Sequence, residues 1–289
     1  MLKSILNAIG RSHRRWLYGL MAGITATSLI LITPQPAPAV PWWELLIRGA
    51  QILQLSNMSN QQEVNLGRQI NQQVAVQLAR NGTPISNHQA ATAYINEIGQ
   101  RLVPNSSRPD IPYTFQIVED RSVNAFATMG GFVYIHAGLM FEADNEAELA
   151  SVIAHEIAHI GGRHAVEQMR ERAIQQGILS AAGLDESTAV QIGVQLALSL
   201  PNSREDEFEA DSLGLNTLRQ SGYAPQAMVS FMQKLQRGGA PPPFLSSHPA
   251  VGDRVQALSR TIQANPPSDN EVNGLDNQAY SNILSSFAR

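Results

Sequence analysis

The sequence predicts an α+β fold, mainly helical, with a small antiparallel sheet or hairpin in front of a central helix. Apolar residues recur at helical spacing in residues 60–79 and again from about residue 88 to 102. The pattern then alternates like a strand in residues 113–120, and residues 124–138 indicate two strands joined at a Met-Gly-Gly junction. Glycines at that junction permit the positive φ of a tight hairpin.

The pattern returns to a helix after the predicted hairpin. Asn145 is a good N-cap residue, and Glu148 stands three positions later, as in a capping box. The chain reads as broken helices from there to Gly239, and residues 173–200 are predicted as a buried helical pair because glutamines and charges exclude a membrane span. Residues 238–249 are predicted as a rigid proline-rich loop, which a short helix follows.

The composition excludes several classes of function. The chain of 289 residues has no cysteine, so a metal must be held by His, Asp and Glu rather than by thiolates. Four of the 20 basic residues and none of the 24 acidic residues lie in the first 39 positions, so the rest has 16 basic and 24 acidic residues, a net charge of −8. An acidic domain without a basic patch predicts no nucleic-acid partner.

The first 39 residues predict a secretory signal peptide. A basic start precedes the uncharged apolar stretch of residues 16–32, and Ala37-Pro38-Ala39 matches a cleavage site between small residues. Cleavage after Ala39 predicts an exported protein, periplasmic or otherwise extracytoplasmic. The alternative is an uncleaved N-terminal membrane anchor.

Three segments are predicted after the signal peptide. They are an apolar helix, the main domain, and a polar loop with a short helix, at residues 40–59, 60–265 and 266–289. Within the first of them, residues 42–55 are apolar around much of a helix. The simpler interpretation is a helix packed on the body of the protein, and the alternative is a peripheral contact with a membrane.

His155 and His159 predict a metal site. Residues four apart on a helix differ by about 40° around the axis, so both rings leave the same face, where they can bind one Zn²⁺. Glu156 lies about 100° round from His155, where a carboxylate can take a proton from an attacking water molecule and pass it to a leaving amine. The stretch HEIAH thus matches the metalloprotease signature H-E-x-x-H, and its apolar flanks predict burial.

A catalytic zinc site needs a third protein ligand, for which the residues leave two candidates open. His164 would point about 180° away from His155 on a continuous helix, which favours a role behind the ligands or on the helix surface. Glu207 and Asp211 are four apart on another predicted helix. Glu207 can complete the site while Asp211 accepts the second ring N–H of a ligand histidine, but a solvated acidic face is the alternative.

Three motifs in this order resemble the zinc metallopeptidases that include the CAAX-prenyl endopeptidases, the HtpX-like membrane proteases and their exported relatives. They are HEIAH followed by RH, then SREDEFEAD, then SHPAVGDR, and the resemblance covers residues 60–262. It implies a zincin-like peptidase domain with one zinc ion per chain. The resemblance implies that His155, His159 and Glu207 are the zinc ligands and that Glu156 is the base. It also implies that Asp211 and Arg204 support the site. The multi-span form of the prenyl endopeptidases does not carry over.

These observations predict a zinc-dependent endopeptidase of exported or envelope proteins, with protein quality control as one setting. His248 has three possible roles: a hydrogen-bond donor to the oxyanion, a fourth ligand that keeps the enzyme latent, or a loop histidine bonded to backbone. A polypeptide substrate would add as a strand near Asn124 and Ala125. The alternative function is a latent or chaperone-like zinc protein with a plugged site.

Overall fold

The computed structural model describes Leu55 and residues 58–177, 186–199, 201–237 and 241–287. The predicted signal peptide and nearly all of the predicted N-terminal helix lie outside the described residues. All the described residues fall within one unit of the chain, Leu46–Arg289. None of the helices in this described part is long and apolar enough to cross a membrane.

Helices dominate the described part of the chain, as predicted. In chain order the elements are α1 (Asn60–Arg80), α2 (Gln89–Leu102), a 3₁₀ turn (Val103–Asn105), β1 (Thr114–Val118), β2 (Ala125–Thr128), β3 (Phe132–His136), α3 (Ala137–Glu142), α4 (Glu146–Gly161), α5 (His164–Gln175), α6 (Glu186–Ser199), α7 (Arg204–Gln220), α8 (Gln226–Arg237), α9 (Pro243–Ser247), α10 (Val251–Ala264) and α11 (Asn277–Phe287). The α+β fold class is therefore confirmed.

The predicted hairpin is present, but the sheet is mixed rather than antiparallel. β2 and β3 pair antiparallel, and Gly130 and Gly131 turn the chain between them with φ of 80° and 97°. β1 pairs with the other side of β3 and runs parallel to it, so the strand order is β1-β3-β2. Alternating burial shows that a segment is a strand but carries no information on its neighbour or direction, which is why the sequence did not reveal this pairing.

Helix α4 forms the centre of the fold. Its residues from Ala147 to Ile160 are all buried, and it packs against α2, α7, α8 and the sheet. Asn145 caps it, its side-chain oxygen accepting the Glu148 N–H at 3.0 Å. The Glu148 carboxylate accepts the backbone N–H of Asp144 at 2.9 Å rather than that of Asn145, and it also pairs with Lys234 on α8 at 2.6 Å, so the predicted capping box is only half formed.

Helices α4 and α7 approach each other closely at Gly214. A Cβ atom at this position would lie 3.2 Å from the carbonyl oxygen of Ala154 and from the Cα of His155. The two helices can approach in this way because the residue has no side chain. Gly214 stands on α7 after Glu207 and Asp211, so the carboxylates of α7 are held against the histidines of α4.

Two other predicted segments differ in detail from the structure. In residues 173–200, α6 is only partly buried and packs on α1, α5 and β2. The predicted proline-rich loop contains the short helix α9, which starts with Pro243 at its first position. Proline suits that position because its fixed φ is helical and its missing N–H would have no helical partner there. The predicted C-terminal helix is present as α11.

Candidate metal centre

Four buried side chains from three parts of the chain meet at one point. They are His155 and His159 on α4, Glu207 on α7, and His248 directly after α9, and their ligand atoms lie within 4.8 Å of one another. The Nε2 atoms of His155 and His159 are 3.0 Å apart. Glu207 Oε1 lies 3.3 Å from His159 Nε2, and Glu207 Oε2 lies 3.5 Å from His155 Nε2. The structure therefore brings together the three predicted ligands.

His248 is the fourth member of this cluster rather than a surface loop histidine. Its ring is buried, and Nδ1 lies 3.0 Å from Glu207 Oε1 and 3.4 Å from His155 Nε2. Donors of a tetrahedral zinc site, each about 2.0–2.1 Å from the metal, are roughly 3.3 Å from one another. Three imidazoles and one carboxylate at such spacing fit a divalent metal of the zinc type, and in the sequence this fit was visible only for His155 and His159.

The outer nitrogen of each helical histidine also has a neighbour. Asp211 Oδ1 lies 3.1 Å from His155 Nδ1, which is where the sequence placed that carboxylate. His164 Nδ1 lies 2.8 Å from His159 Nδ1, so His164 stands behind a ligand and is not itself one of the four donors. Partners on the outer nitrogen fix the ring orientation and aim Nε2 at the metal.

The guanidinium at this site belongs to Arg254, not to Arg204. Arg254 is fully buried, donates to both oxygens of Asp211 at 2.7 Å, and also bonds Glu207 Oε2. Arg204, predicted to support the site, instead lies on the surface and pairs with Asp253 at 2.6 Å. Arg204 starts α7, one turn before Glu207, and its side chain leaves the helix on the solvent side. Arg254 is the last residue of the SHPAVGDR motif, and this motif is the feature of the sequence that could have identified it.

Burial and neighbouring groups shift the pKa values of the site. Burial lowers the pKa of His159 to about 3, so its ring is neutral, as a ligand must be. Burial also opposes a charged His155, but hydrogen bonds to Asp211 and Glu207 outweigh burial and raise its pKa to about 9. The facing histidines likewise outweigh burial at Glu207 and lower the pKa of its carboxyl.

Glu156 is buried beside the donor cluster without belonging to it. Among the described residues, its Oε1 has no hydrogen-bond partner, and His248 Nε2 lies 3.5 Å from this oxygen. Burial raises the pKa of the Glu156 carboxyl. A buried polar atom without a partner is costly, so it marks a place where another molecule is expected to bind.

A cleft opens next to this carboxylate, with a volume of about 710 Å³ when the open solvent at its mouth is included. Glu156, His159 and His248 line one part of it, and the apolar side chains of Ile70 and Phe126 line another. β2 borders the cleft and is an edge strand of the sheet among the described residues.

Asn124 and Ala125, the predicted substrate-binding residues, lie where β2 meets the loop that holds His248. The Ala125 carbonyl oxygen is 3.4 Å from His248 Nε2. The Asn124 side-chain oxygen accepts from Ser247 Oγ at 3.4 Å. Ala125 therefore contacts His248 itself, and Asn124 contacts Ser247, the residue before it.

Two helical histidines, a glutamate from a second helix and a buried carboxylate next to a cleft define a metallopeptidase centre of the H-E-x-x-H type. Residues 89–262 match peptidase family M48. The chain therefore belongs to peptidase family M48.

Curated relatives agree with this assignment. The chain is 32% identical over 230 residues to the beta-barrel assembly-enhancing protease of Escherichia coli K12, which covers 73% of this chain and 46% of that protein. It is 34% identical over 209 residues to the putative beta-barrel assembly-enhancing protease of Vibrio cholerae, with 66% and 43% covered. Identity to the mitochondrial metalloendopeptidase OMA1 of Schizosaccharomyces pombe is 29% over 185 residues, with 62% and 55% covered. The chain spans about half the length of these relatives.

Proposed function

We propose that this chain is a zinc-dependent endopeptidase that cleaves exported or envelope polypeptides and holds one zinc ion through His155, His159 and Glu207. The observation that carries the proposal is Glu156 Oε1, which lies beside the donor cluster and has no hydrogen-bond partner in the described part of the chain. A purely structural zinc site has no use for such a carboxylate, because its four ligands complete it.

The residues of the chain divide the chemistry between them. A bound zinc ion would polarise the scissile carbonyl group and lower the pKa of a water molecule. Glu156 accepts a proton from the attacking water and then delivers it to the departing nitrogen. Burial raises the pKa of the Glu156 carboxyl group, which makes the carboxylate a better proton acceptor. Asp211 and Arg254 keep His155 and Glu207 in place.

The position of His248 supports the interpretation that it is a fourth ligand that keeps the enzyme latent. Its Nδ1 atom faces the same point as the other three donors, and a closed set of four leaves no position for a substrate. The substrate or a partner must then displace His248. The alternative is a hydrogen bond from Nε2 to the oxyanion, since this atom faces Glu156 and the end of β2.

The substrate is proposed to bind as an extended strand along β2, near Asn124 and Ala125. A free strand edge offers backbone hydrogen bonds to any polypeptide, while the neighbouring cleft receives side chains. The names of the bacterial relatives refer to beta-barrel assembly. By analogy we propose that this chain acts outside the cytoplasm, with polypeptides as its partners. For residues 42–55 a helix packed on the body of the protein stays the simpler interpretation, and a peripheral membrane contact stays the alternative.

The test is metal content together with casein cleavage by the purified chain. The protein is expected to contain one zinc ion and to cleave casein, either as the wild type or, where His248 keeps the enzyme latent, as His248→Ala. Glu156→Gln in the same background should retain zinc and lose cleavage by several orders of magnitude. Retained cleavage in Glu156→Gln would remove the general base from the mechanism. A folded protein without zinc would overturn the proposal.

The closed donor set also favours a second candidate, a latent or chaperone-like zinc protein. His248→Ala separates the possibilities. A latent peptidase gains activity when the fourth ligand is removed, and an oxyanion donor loses activity. A protein whose zinc is purely structural shows no cleavage in either form.

A further inference from the structure

Asn202 lies in the segment that joins α6 to α7, and its side chain reaches into the metal centre. Its amide nitrogen Nδ2 is 2.8 Å from Glu207 Oε1 and 3.3 Å from His248 Nδ1. A side-chain amide has two N–H donors. Glu207 Oε1 accepts one of them, and the other faces His248 Nδ1 and His159 Nε2, which also lies 3.3 Å from Nδ2. The backbone N–H of Asn202 also donates to the carbonyl oxygen of Ser247 at 3.0 Å, so this segment is hydrogen-bonded to the end of α9, directly before His248.

The direction of the Asn202 amide is fixed by a chain of hydrogen bonds with a carboxylate at each end. Gln168 Nε2 on α5 donates to Asp206 Oδ2 at 2.9 Å and to Asn202 Oδ1 at 3.1 Å. The carboxylate oxygens of Asp206 and Glu207 are the acceptors at the two ends of this chain. The Gln168 nitrogen must therefore face Asp206, the Asn202 oxygen must face Gln168, and the Asn202 nitrogen must face Glu207.

We propose that Asn202 is a further catalytic residue of this centre. One of its N–H groups holds the Glu207 carboxylate in the orientation that a ligand needs, and the other donates to the substrate oxygen that takes the place of His248 Nδ1. Gln168 acts through Asn202 and is a positioning residue. This inference rests on the proposed peptidase function.

The place of the second N–H group follows from the donor geometry. His248 Nδ1 marks the fourth corner of the donor set, the corner that a catalytic site leaves to water or substrate. An oxygen atom at the same place remains within 3.3 Å of Asn202 Nδ2. Because the amide is already oriented by Gln168, it needs no rearrangement when negative charge develops on that oxygen.

The first experiment reverses the donors and acceptors in the chain of hydrogen bonds that runs from Asp206 through Gln168 and Asn202 to Glu207. It keeps the size of the side chains and the net charge. In the double variant Gln168→Glu with Asp206→Asn, residue 168 can only accept, so Asn202 must turn its nitrogen to it and its oxygen to Glu207. Asp206→Asn alone keeps the original direction, because an amide oxygen at 206 still accepts from Gln168. Competition with a chromophoric chelator should show zinc bound about 10–100-fold more weakly by the double variant and by Asn202→Ala. Asp206→Asn and the remote amide variant Asn105→Ala should stay within about threefold of the wild type, a margin well below that loss.

The second experiment measures kinetics in a His248→Ala background. This background removes any effect that the Asn202 side chain has through His248. Adding Asn202→Ala should lower kcat at least tenfold at saturating zinc with little change in KM, because the hydrogen bond forms in the transition state. Unchanged zinc affinity together with unchanged kcat would overturn the inference. If no form of the protein cleaves peptides, the peptidase proposal fails, while the zinc measurement still decides whether Asn202 orients Glu207.

Discussion

His159 and His164 face each other through their Nδ1 atoms, which are 2.8 Å apart. Only one of the two atoms can carry the proton of this hydrogen bond. Since Nε2 of His159 points into the donor cluster, its Nδ1 carries the proton and His164 Nδ1 accepts it. The remaining proton of His164 then lies on Nε2, which faces Glu209 Oε2 at 3.6 Å. A second-layer histidine thus sets the tautomer of a metal ligand.

Replacing His164 by alanine should weaken zinc binding about 10–100-fold, because His159 loses the group that fixes its tautomer and ring orientation. Chelator competition measures this change. His88→Ala is the matched control: His88 caps α2 through its ring nitrogen, at 3.1 Å from the Ala91 N–H, so it should lose stability but not zinc affinity. Equal zinc affinities in His164→Ala and wild type would contradict the tautomer assignment.

Arg254 and Arg204 should differ sharply when each is replaced by alanine. Arg254→Ala leaves the buried carboxylates of Glu207 and Asp211 without their cation and should lower the free energy of unfolding by about 3–5 kcal/mol. Arg204→Ala breaks only an exposed ion pair and should cost less than about 1 kcal/mol. Urea denaturation of both variants tests the comparison, and similar losses would mean that Arg254 does not anchor the site.

Removing the metal with a chelator should lower the melting temperature. A ligand present at 100 times its Kd stabilises the native state by about 2.7 kcal/mol, which for a domain of this size corresponds to roughly 5–10 °C. Glu156→Gln should keep this difference, because Glu156 is not among the donors, and His159→Ala should abolish it. Calorimetry with and without chelator gives the result. A chelator effect that survives in His159→Ala would place the metal elsewhere.

Tyr113 should give the protein a specific alkaline sensitivity. Burial raises the pKa of its hydroxyl group to about 12, above the value of about 10 in an unfolded chain. The unfolded state therefore loses this proton first, and the stability linked to Tyr113 is complete below pH 10 and declines as the pH rises towards 12. Tyr113→Phe should cost about 1 kcal/mol at pH 8 through the lost hydrogen bond to Arg108, and the cost should shrink by pH 11. A cost independent of pH would contradict this.

Local patterns predicted the parts of the site that lie on one helix. His155, Glu156 and His159 follow from helical spacing alone, and Asn145 as the cap follows from the preference of that position. Glu207 was ambiguous by itself, since an acidic stretch is compatible with a solvated face. Its role became predictable only through the resemblance to the metallopeptidases.

Contacts between distant segments escaped the sequence analysis. Arg204 and Arg254 are both arginines within a motif, and only the packing of α7 against α10 decides which of them is buried. Asn202 stands in a connecting segment whose composition indicates a loop and nothing more. The parallel pairing of β1 with β3 was hidden for a related reason, because strand direction is a property of the connection and not of the strand.

Gly214 influences the geometry of the metal site although it is not one of the ligands. The lack of a side chain at this residue permits the close approach of α4 and α7, and a methyl group there would have to displace the backbone around His155 by a few tenths of an ångström. The distances between the metal-binding atoms of α4 and those of α7 therefore depend on the residue at position 214. Homologous chains with identical ligands but a larger residue at this position would be expected to grip their metal at a different spacing.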